Sequence, residues 1–313
     1  VGSFFSCWYN VSMPQRKLLV THHAPDLDAI GGIWLFKRFD ALNYANAQVA
    51  FVDPGDTISL EDCEKNFNCQ LHEVTHVDTG LGEFDHHQPE KAQASISASS
   101  LVYDYICQQY PDKKDDQALA ALVNHITEID HFREIYWAEA KEDRFLFSLH
   151  SLIHGHEYVN LHDDQSQLNF GLQSLDYAYA ALTQHYKAKE AIKERGQEFN
   201  LPIGKCLAIE SGNDDTIKLA QIQGYQLVIR KDPEQDFIRI KARPDSKNPD
   251  GSNFNLEKLA KIIKEIDQSA SWFYHASGKM LLNGSNGWRQ KKASKLSLQQ
   301  VVDLVQKTYN QKS

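Results

Sequence analysis

The 313-residue chain has no Cys-x-x-Cys pair, no long apolar run and no excess of positive charge. Each absence removes a class of protein. Its five cysteines, Cys7, Cys63, Cys69, Cys107 and Cys206, are odd in number. That argues against a disulfide framework and for a reducing compartment, so a cytoplasmic location is expected. No apolar run approaches the roughly 18 residues that a membrane span needs. A net charge of −9 supplies no global basic field to draw the chain to long nucleic acid. Internal repeats and low-complexity tracts are absent too. Residues 1–12 are aromatic and uncharged, with no basic leading region, so they do not read as a signal peptide. The natural start is expected at Met13.

What remains is an ordinary globular composition, 42% hydrophobic and 24% charged, in a length comfortable for two domains. Lys17–Thr21, Gln48–Val52 and Glu73–Val77 read as strands. Ala29–Phe39, Ser95–Tyr110 and Gln117–Ile129 read as helices. Alternating strands and helices predict a largely parallel sheet flanked by helices. Residues 169–199 read as a long connecting helix, with a linker around Gly196 to Pro202. Beyond it, 204–210, 225–231 and 236–243 read as strands, the last two as a hairpin turning at Asp232-Pro233, and Leu256–Ile266 as an amphipathic helix. The fold class is therefore α/β with two domains: residues 13–168, a connection over 169–202, and a smaller α/β domain over 203–313.

The chemistry concentrates in the first part. His22-His23-Ala-Pro-Asp26-Leu-Asp28 follows the first strand, Asp78 ends the third, and Asp85-His86-His87 comes seven residues later. In parallel sheets ligands sit outside the carboxyl ends of strands, which is where Asp26, Asp28 and Asp78 fall. Carboxylates are ligands for hard divalent cations, and imidazole adds selectivity for manganese, iron or cobalt over magnesium. The pattern points to two divalent ions, manganese first, with magnesium or cobalt compatible.

His22-x3-Asp26-x-Asp28, Asp78, Asp85-His86-His87 and Asp130 resemble, in order, the four motifs of the DHH phosphoesterase superfamily. That superfamily includes RecJ-type exonucleases, oligoribonucleases, cyclic-dinucleotide phosphodiesterases, exopolyphosphatases and manganese pyrophosphatases. The resemblance covers residues 17–135. It implies a catalytic domain over 13–168 in which His22, Asp26 and Asp78 hold one ion, while Asp28, Asp78, His86 and Asp130 hold the other. Asp78 would bridge them, His87 would touch the phosphate, and Asp85 would orient an imidazole. The implied activity is phosphoester hydrolysis by a bridging water on two metals.

Two departures bear on the substrate. Only six residues separate Asp78 from Asp85, so this side of the site should be compact. Residues 203–313 resemble the family's substrate-binding domain loosely: Phe237–Arg243 matches its strand with a terminal arginine, but Ser271-Trp-Phe-Tyr-His275 stands where the family has a glycine run ending in histidine. Arg243, His275 and Arg289 are the candidate substrate contacts there, and Trp272, Phe273 and Tyr274 either stack a base or belong to the core. His23 is a candidate substrate contact or a structural residue. His150, His154, His156 and His162 form a loose group with no recognisable ligand spacing. The expected substrate is a small nucleotide: a short oligonucleotide, a cyclic dinucleotide or a nucleoside bisphosphate. Pyrophosphate or short polyphosphate hydrolysis and non-hydrolytic nucleotide binding are the alternatives. A short single strand and a homodimer are compatible partners; a membrane is not.

Overall fold

The computed structural model describes residues 17–91, 95–284 and 292–310. The expected start at Met13 and the candidate contact Arg289 lie outside the described residues. The chain divides into two units, Val1–Leu182 and Thr183–Ser313, each with its own sheet.

In the first unit β1 (Leu18–His22) is the middle strand, flanked in parallel by β2 (Gln48–Val52) and β3 (Val74–His76). Leu18 and Val20 pack with Ala50, Ile58, Cys63 and Cys69 on one face, while Leu19 enters the main core on the other. A strand buried on both faces reads as an unbroken apolar run, which is what Lys17–Thr21 is.

Helix α1 (Leu27–Phe39) begins two residues earlier than its apolar pattern suggests. The reason is Asp26, whose carboxylate accepts from the backbone N–H groups of Asp28 and Ala29 and so caps the first turn. Two short pieces, α2 (Ala41–Tyr44) and α3 (Leu60–Asp62), follow. Helix α4 (Ala98–Gln109) starts after Ser97, which forms a reciprocal cap with Ser100. It is followed by α5 (Gln117–Asp130) and by α6 (Leu149–Val159), which the histidine-rich sequence does not announce. Ile30, Ile33, Trp34 and Phe36 of α1 meet Val102 and Ile106 of α4 and Leu119, Leu122 and Ile126 of α5 in one buried cluster.

Helix α7 (Asp164–Arg195) is the long helix, begun five residues before the expected 169. The residues after it correct the linker reading. Gln197–Leu201 form a strand, β4, with Phe199 and Leu201 buried, paired antiparallel to β5 (Gly204–Glu210). A helix stop at Gly196 and the turn at Pro202 are as compatible with a hairpin as with a flexible connection, and the two apolar side chains decide for the hairpin.

The second unit is completed by α8 (Asp215–Ile222), β6 (Leu227–Lys231), β7 (Ile238–Ala242), α9 (Glu257–Ile266), β8 (Trp272–Tyr274), β9 (Met280–Asn283) and α10 (Leu298–Tyr309). Among the described residues six strands run in the order β4-β5-β6-β7-β9-β8, with β5 and β6 the parallel pair. One face packs on α9 and α10 through Leu259, Ile263, Val301 and Val305. The other is covered over β5 and β6 by Ile217 and Ala220 of α8 with Ala188 and Ile192 of α7. The expected hairpin at Asp232-Pro233 is present as β6 and β7, with Arg230 opposite Arg239.

The contact that fixes α1 under the site is made by glycine. A Cβ on Gly31 would lie 2.3 Å from Ser99 Oγ and 2.9 Å from Ile126 Cδ1. Gly31→Ala is therefore expected to destabilise the fold by about 1–3 kcal/mol through overpacking, more than the roughly 1 kcal/mol of helix propensity it gains. Chemical denaturation checks this; an unchanged or raised stability would show that α1 and α4 can separate without loss.

Candidate metal centre

Three elements deliver the polar residues to one place. His22 is the last residue of β1, Asp78 follows β3, and Asp130 is the last residue of α5. β1 lies between β2 and β3, so the chain leaves it in opposite directions on its two sides, and the carboxyl end of such a strand is where an α/β sheet opens a crevice. Asp78 sits in the left-handed backbone region at φ 58, which Asp tolerates better than most residues. Its N–H donates to the Phe84 carbonyl, closing the six-residue connection into a tight loop that brings Asp85, His86 and His87 back beside it.

Asp78 is the centre of the arrangement. Its Oδ2 lies 3.4 Å from His22 Nε2, and its Oδ1 lies 3.5 Å from His86 Nε2. His86 Nε2 is in turn 3.6 Å from Asp130 Oδ2 and 3.9 Å from Asp28 Oδ2. These separations are longer than good hydrogen bonds. Asp78 Oδ1, His86 Nε2 and Asp130 Oδ2 are buried with no hydrogen-bond partner among the described residues, which is costly for a polar atom unless something else satisfies it. Two donors each about 2.1–2.3 Å from one cation and about 90–120° apart would lie roughly 3.0–4.0 Å from each other. Spacing, burial and donor type thus fit divalent cations. Among the described residues three groups have ligand atoms close enough to share an ion: His22, Asp26 and Asp78; Asp78, His86 and His87; and His86, Asp130 and His131.

The electrostatics say the same. Burial pushes the Asp26 and Asp28 carboxyls up, and the charge of Asp78 pushes them further, with Asp130 adding to Asp28. Asp130 is raised to about 6 by burial and the charges of Asp78 and Asp26, against the pull of His86. Burial works against a charged His22, yet its contact with Asp78 and the charge of Asp26 carry it up to about 9. His86 reaches about 9 through Asp78, against burial, with Asp130 and Asp28 helping. Without a metal, protons partly neutralise a site crowded with carboxylates.

Hydrogen bonds set the ring orientations. His22 Nδ1 donates to the His23 carbonyl, which can only accept, so Nε2 is the atom turned to Asp78. Asp85 is buried; one oxygen accepts from the Leu81 N–H and the other from the N–H and Nδ1 of His87. The ring that Asp85 orients is therefore that of His87, whose side chain is 60% exposed. His131 Nε2 donates to the Ile96 carbonyl at 2.9 Å, which occupies the nitrogen nearest Asp130.

Asp28 stands somewhat apart from the expected set. Its oxygens accept from the Ala98 and Ser99 N–H groups, and Ser99 Oγ donates to its carbonyl, so it holds the first turn of α4. His23 Nδ1 pairs with Asp164, a partner from the start of α7 that no motif announces. Arg243 and His275 belong to the second unit. Both donors of the Arg243 fork that face a carboxylate go to Asp245. His275 lies in the turn between β8 and β9, where its Nδ1 accepts from the Ser277 N–H. Trp272 is core, its Nε1 donating to Asp267, while Phe273 is partly exposed. None of His150, His154, His156 and His162 joins a group that could share an ion among the described residues; His156 bonds Ser166 and stacks on Phe170.

No protein-family model matches the sequence, and no curated relative does. Solved structures do match. One is a DHH domain from a member of the s1p family of ribosomal proteins, 13% identical with a TM-score of 0.31, covering 93% of this chain and 86% of that one. Another is exonuclease RecJ bound to manganese, 10% identical with a TM-score of 0.31, covering 94% of this chain and 90% of that one. A third, RecJ from Thermus thermophilus in complex with Mn2+, is 12% identical with a TM-score of 0.30, and this chain spans half of its length. The chemistry is read from the residues of this chain. No helix among the described residues is long and apolar enough to cross a membrane.

The raised histidines give a test in the metal-free protein. A folded pKa of about 9 against an ordinary 6.5 contributes stability that is complete below about 6.5 and is lost as pH rises through about 9. The thermal midpoint without metal is expected to fall over that interval. Manganese, taking the place of those protons, should restore it most at the alkaline end. A midpoint that stays level from pH 6.5 to 9 without metal would contradict the ion pairs described here.

Proposed function

We propose that the chain is a divalent-metal-dependent phosphoester hydrolase of the DHH type, acting in the cytoplasm on a small nucleotide with manganese as its metal. The observation that carries this reading is Asp78. It is a single buried carboxylate with one oxygen towards His22 and the other towards His86, beside two further polar atoms that have no partner. A carboxylate that faces two imidazoles from its two oxygens is placed to serve two cations at once. His22, Asp26 and Asp78 would hold one ion. Asp78, His86 and Asp130 would hold the other with Asp28, each of whose oxygens keeps a lone pair after accepting one N–H. Bound there, two divalent ions would supply Lewis-acid polarisation of a phosphoryl oxygen and would lower the pKa of a water.

The remaining steps belong to the protein. Asp85 fixes the ring of His87 by accepting from Nδ1, which leaves Nε2 on the open side. In the protonated form that nitrogen donates to a phosphoryl oxygen and stabilises the charge that grows there. The nitrogen ligands favour manganese over magnesium. The complete set of ligands speaks for turnover rather than binding alone. The first unit would form the catalytic part and the second the substrate-binding part, with Arg243 and His275 as its contacts.

A panel of dinucleotides, adenosine 3′,5′-bisphosphate, cyclic dinucleotides and pyrophosphate, each with manganese, identifies the substrate. Asp78→Asn keeps a residue that accepts the left-handed backbone and removes the charge. It is expected to lose bound metal and to lower turnover by well over about a hundredfold. His87→Ala should lower turnover by about 10²–10³ and leave metal content intact. Equal metal loss in the two variants, measured by elemental analysis, would mean that His86 and His87 have been given each other's roles.

A further inference from the structure

Two ligands of the first ion, His22 and Asp26, stand at the two ends of an irregular stretch between β1 and α1. Little within that stretch holds its shape. Ala24 lies in the left-handed region at φ 49, a conformation that is uphill for a residue with a Cβ and that alanine cannot stabilise with a side chain of its own. Pro25 has no N–H to contribute. From β2 comes one bond, the His23 N–H donating to the Val52 carbonyl at the start of the stretch. The distance between the two ligands must therefore be set from elsewhere.

The first turn of α7, some 140 residues downstream, grips all three intervening residues. Asp164 Oδ2 takes His23 Nδ1, Asp164 Oδ1 accepts from the Ala24 N–H at 2.7 Å, and Gln167 Nε2 donates to the Pro25 carbonyl at 2.9 Å. Gln167 is buried at 3% exposure, so its bond is shielded from water. Capping of the helix does not occupy Asp164, because Asp163 Oδ1 accepts from the Ser166 N–H instead. A carboxylate at the start of a 32-residue helix is also favoured by the helix dipole. Asp164 belongs to none of the groups that could share an ion among the described residues.

From this geometry we infer that Asp164, assisted by Gln167, is a positioning residue for the first metal: it fixes the backbone between His22 and Asp26 in the one shape that aims both at Asp78. The inference rests on the two-metal reading above. Its prediction is specific to one ion. Removing the grip lets Ala24 relax out of the left-handed region, which displaces His22 relative to Asp26. The ion held by Asp78, His86 and Asp130 loses nothing directly.

Manganese titration followed by electron paramagnetic resonance, with equilibrium dialysis for stoichiometry, tests it on the full chain. Wild type should bind two ions. Asp164→Ala should weaken one of them by about 10- to 100-fold, the range for loss of a residue that orients a ligand, and leave the other within about twofold. Asp164→Asn keeps an oxygen for the Ala24 N–H and should recover most of the lost affinity. Gln167→Ala should weaken the same ion by a smaller factor. Unchanged manganese affinity in Asp164→Ala would overturn the inference, as would an Asp164→Asn variant no better than alanine. If Asp164→Ala does not fold, Gln167→Ala and Asp164→Asn decide alone. A wild type that binds no manganese would instead bring down the metal reading itself, so the two failures are distinguishable.

Discussion

The structure of the first unit depends on how Asp78 is held. Its carboxylate can face two imidazoles only because its backbone turns into the left-handed region directly after β3. It stays there because its N–H reaches the Phe84 carbonyl across the short loop. That same loop returns Asp85, His86 and His87 to the mouth of the sheet. Burial then does the chemistry. Four carboxylates and two imidazoles in a low-dielectric setting repel one another or share protons, and the directions of their shifts show both pressures.

What could be read from the sequence was local in origin. The apolar run before His22, the spacing from His22 to Asp28, the Asp85-His86-His87 triplet and the helix ending at Asp130 are patterns within a few residues of one another, and the fold places them as their spacing suggests. The β2-β1-β3 order and the burial of both faces of β1 follow from the same runs. What could not be read was long-range. The bonds from Asp28 to Ala98 and Ser99, and from Asp164 to His23 and Ala24, join residues about 70 and 140 positions apart, and no periodicity reports them. Gln197–Leu201 was ambiguous for another reason: five mixed residues after a glycine acquire strand character only from the neighbour β5 that pairs with them.

The second unit shows how much a sheet face tolerates when charge is compensated. Arg230 is almost wholly buried, yet its guanidinium meets Asp214, the Ser211 carbonyl and, at longer range, Asp232, while Arg239 shares Asp214 from the adjacent strand. Such networks contribute little net stability next to an apolar core of the same shape, but they are unforgiving of losing one member. The cores on the two faces, Leu259, Ile263 and Val305 on one side and Ile192, Ile217 and Val228 on the other, carry the stability.

Among the described residues the first unit has six non-glycine residues at positive φ: Ala24, Asn68, Asp78, Leu81, Phe132 and His162. Three of them, Ala24, Asp78 and Leu81, lie in the two loops that carry His22, Asp26, Asp78 and His86. Each has its N–H held by an acceptor outside its own turn or on the far side of the loop: Asp164 for Ala24, the Phe84 carbonyl for Asp78, Asp85 for Leu81. In these two loops the backbone leaves its ordinary region and hydrogen bonds hold it there, two of them local and one from 140 residues away. The tight contact of Gly31 with Ser99 belongs to the same design, since Ser99 is one of the residues that pins Asp28.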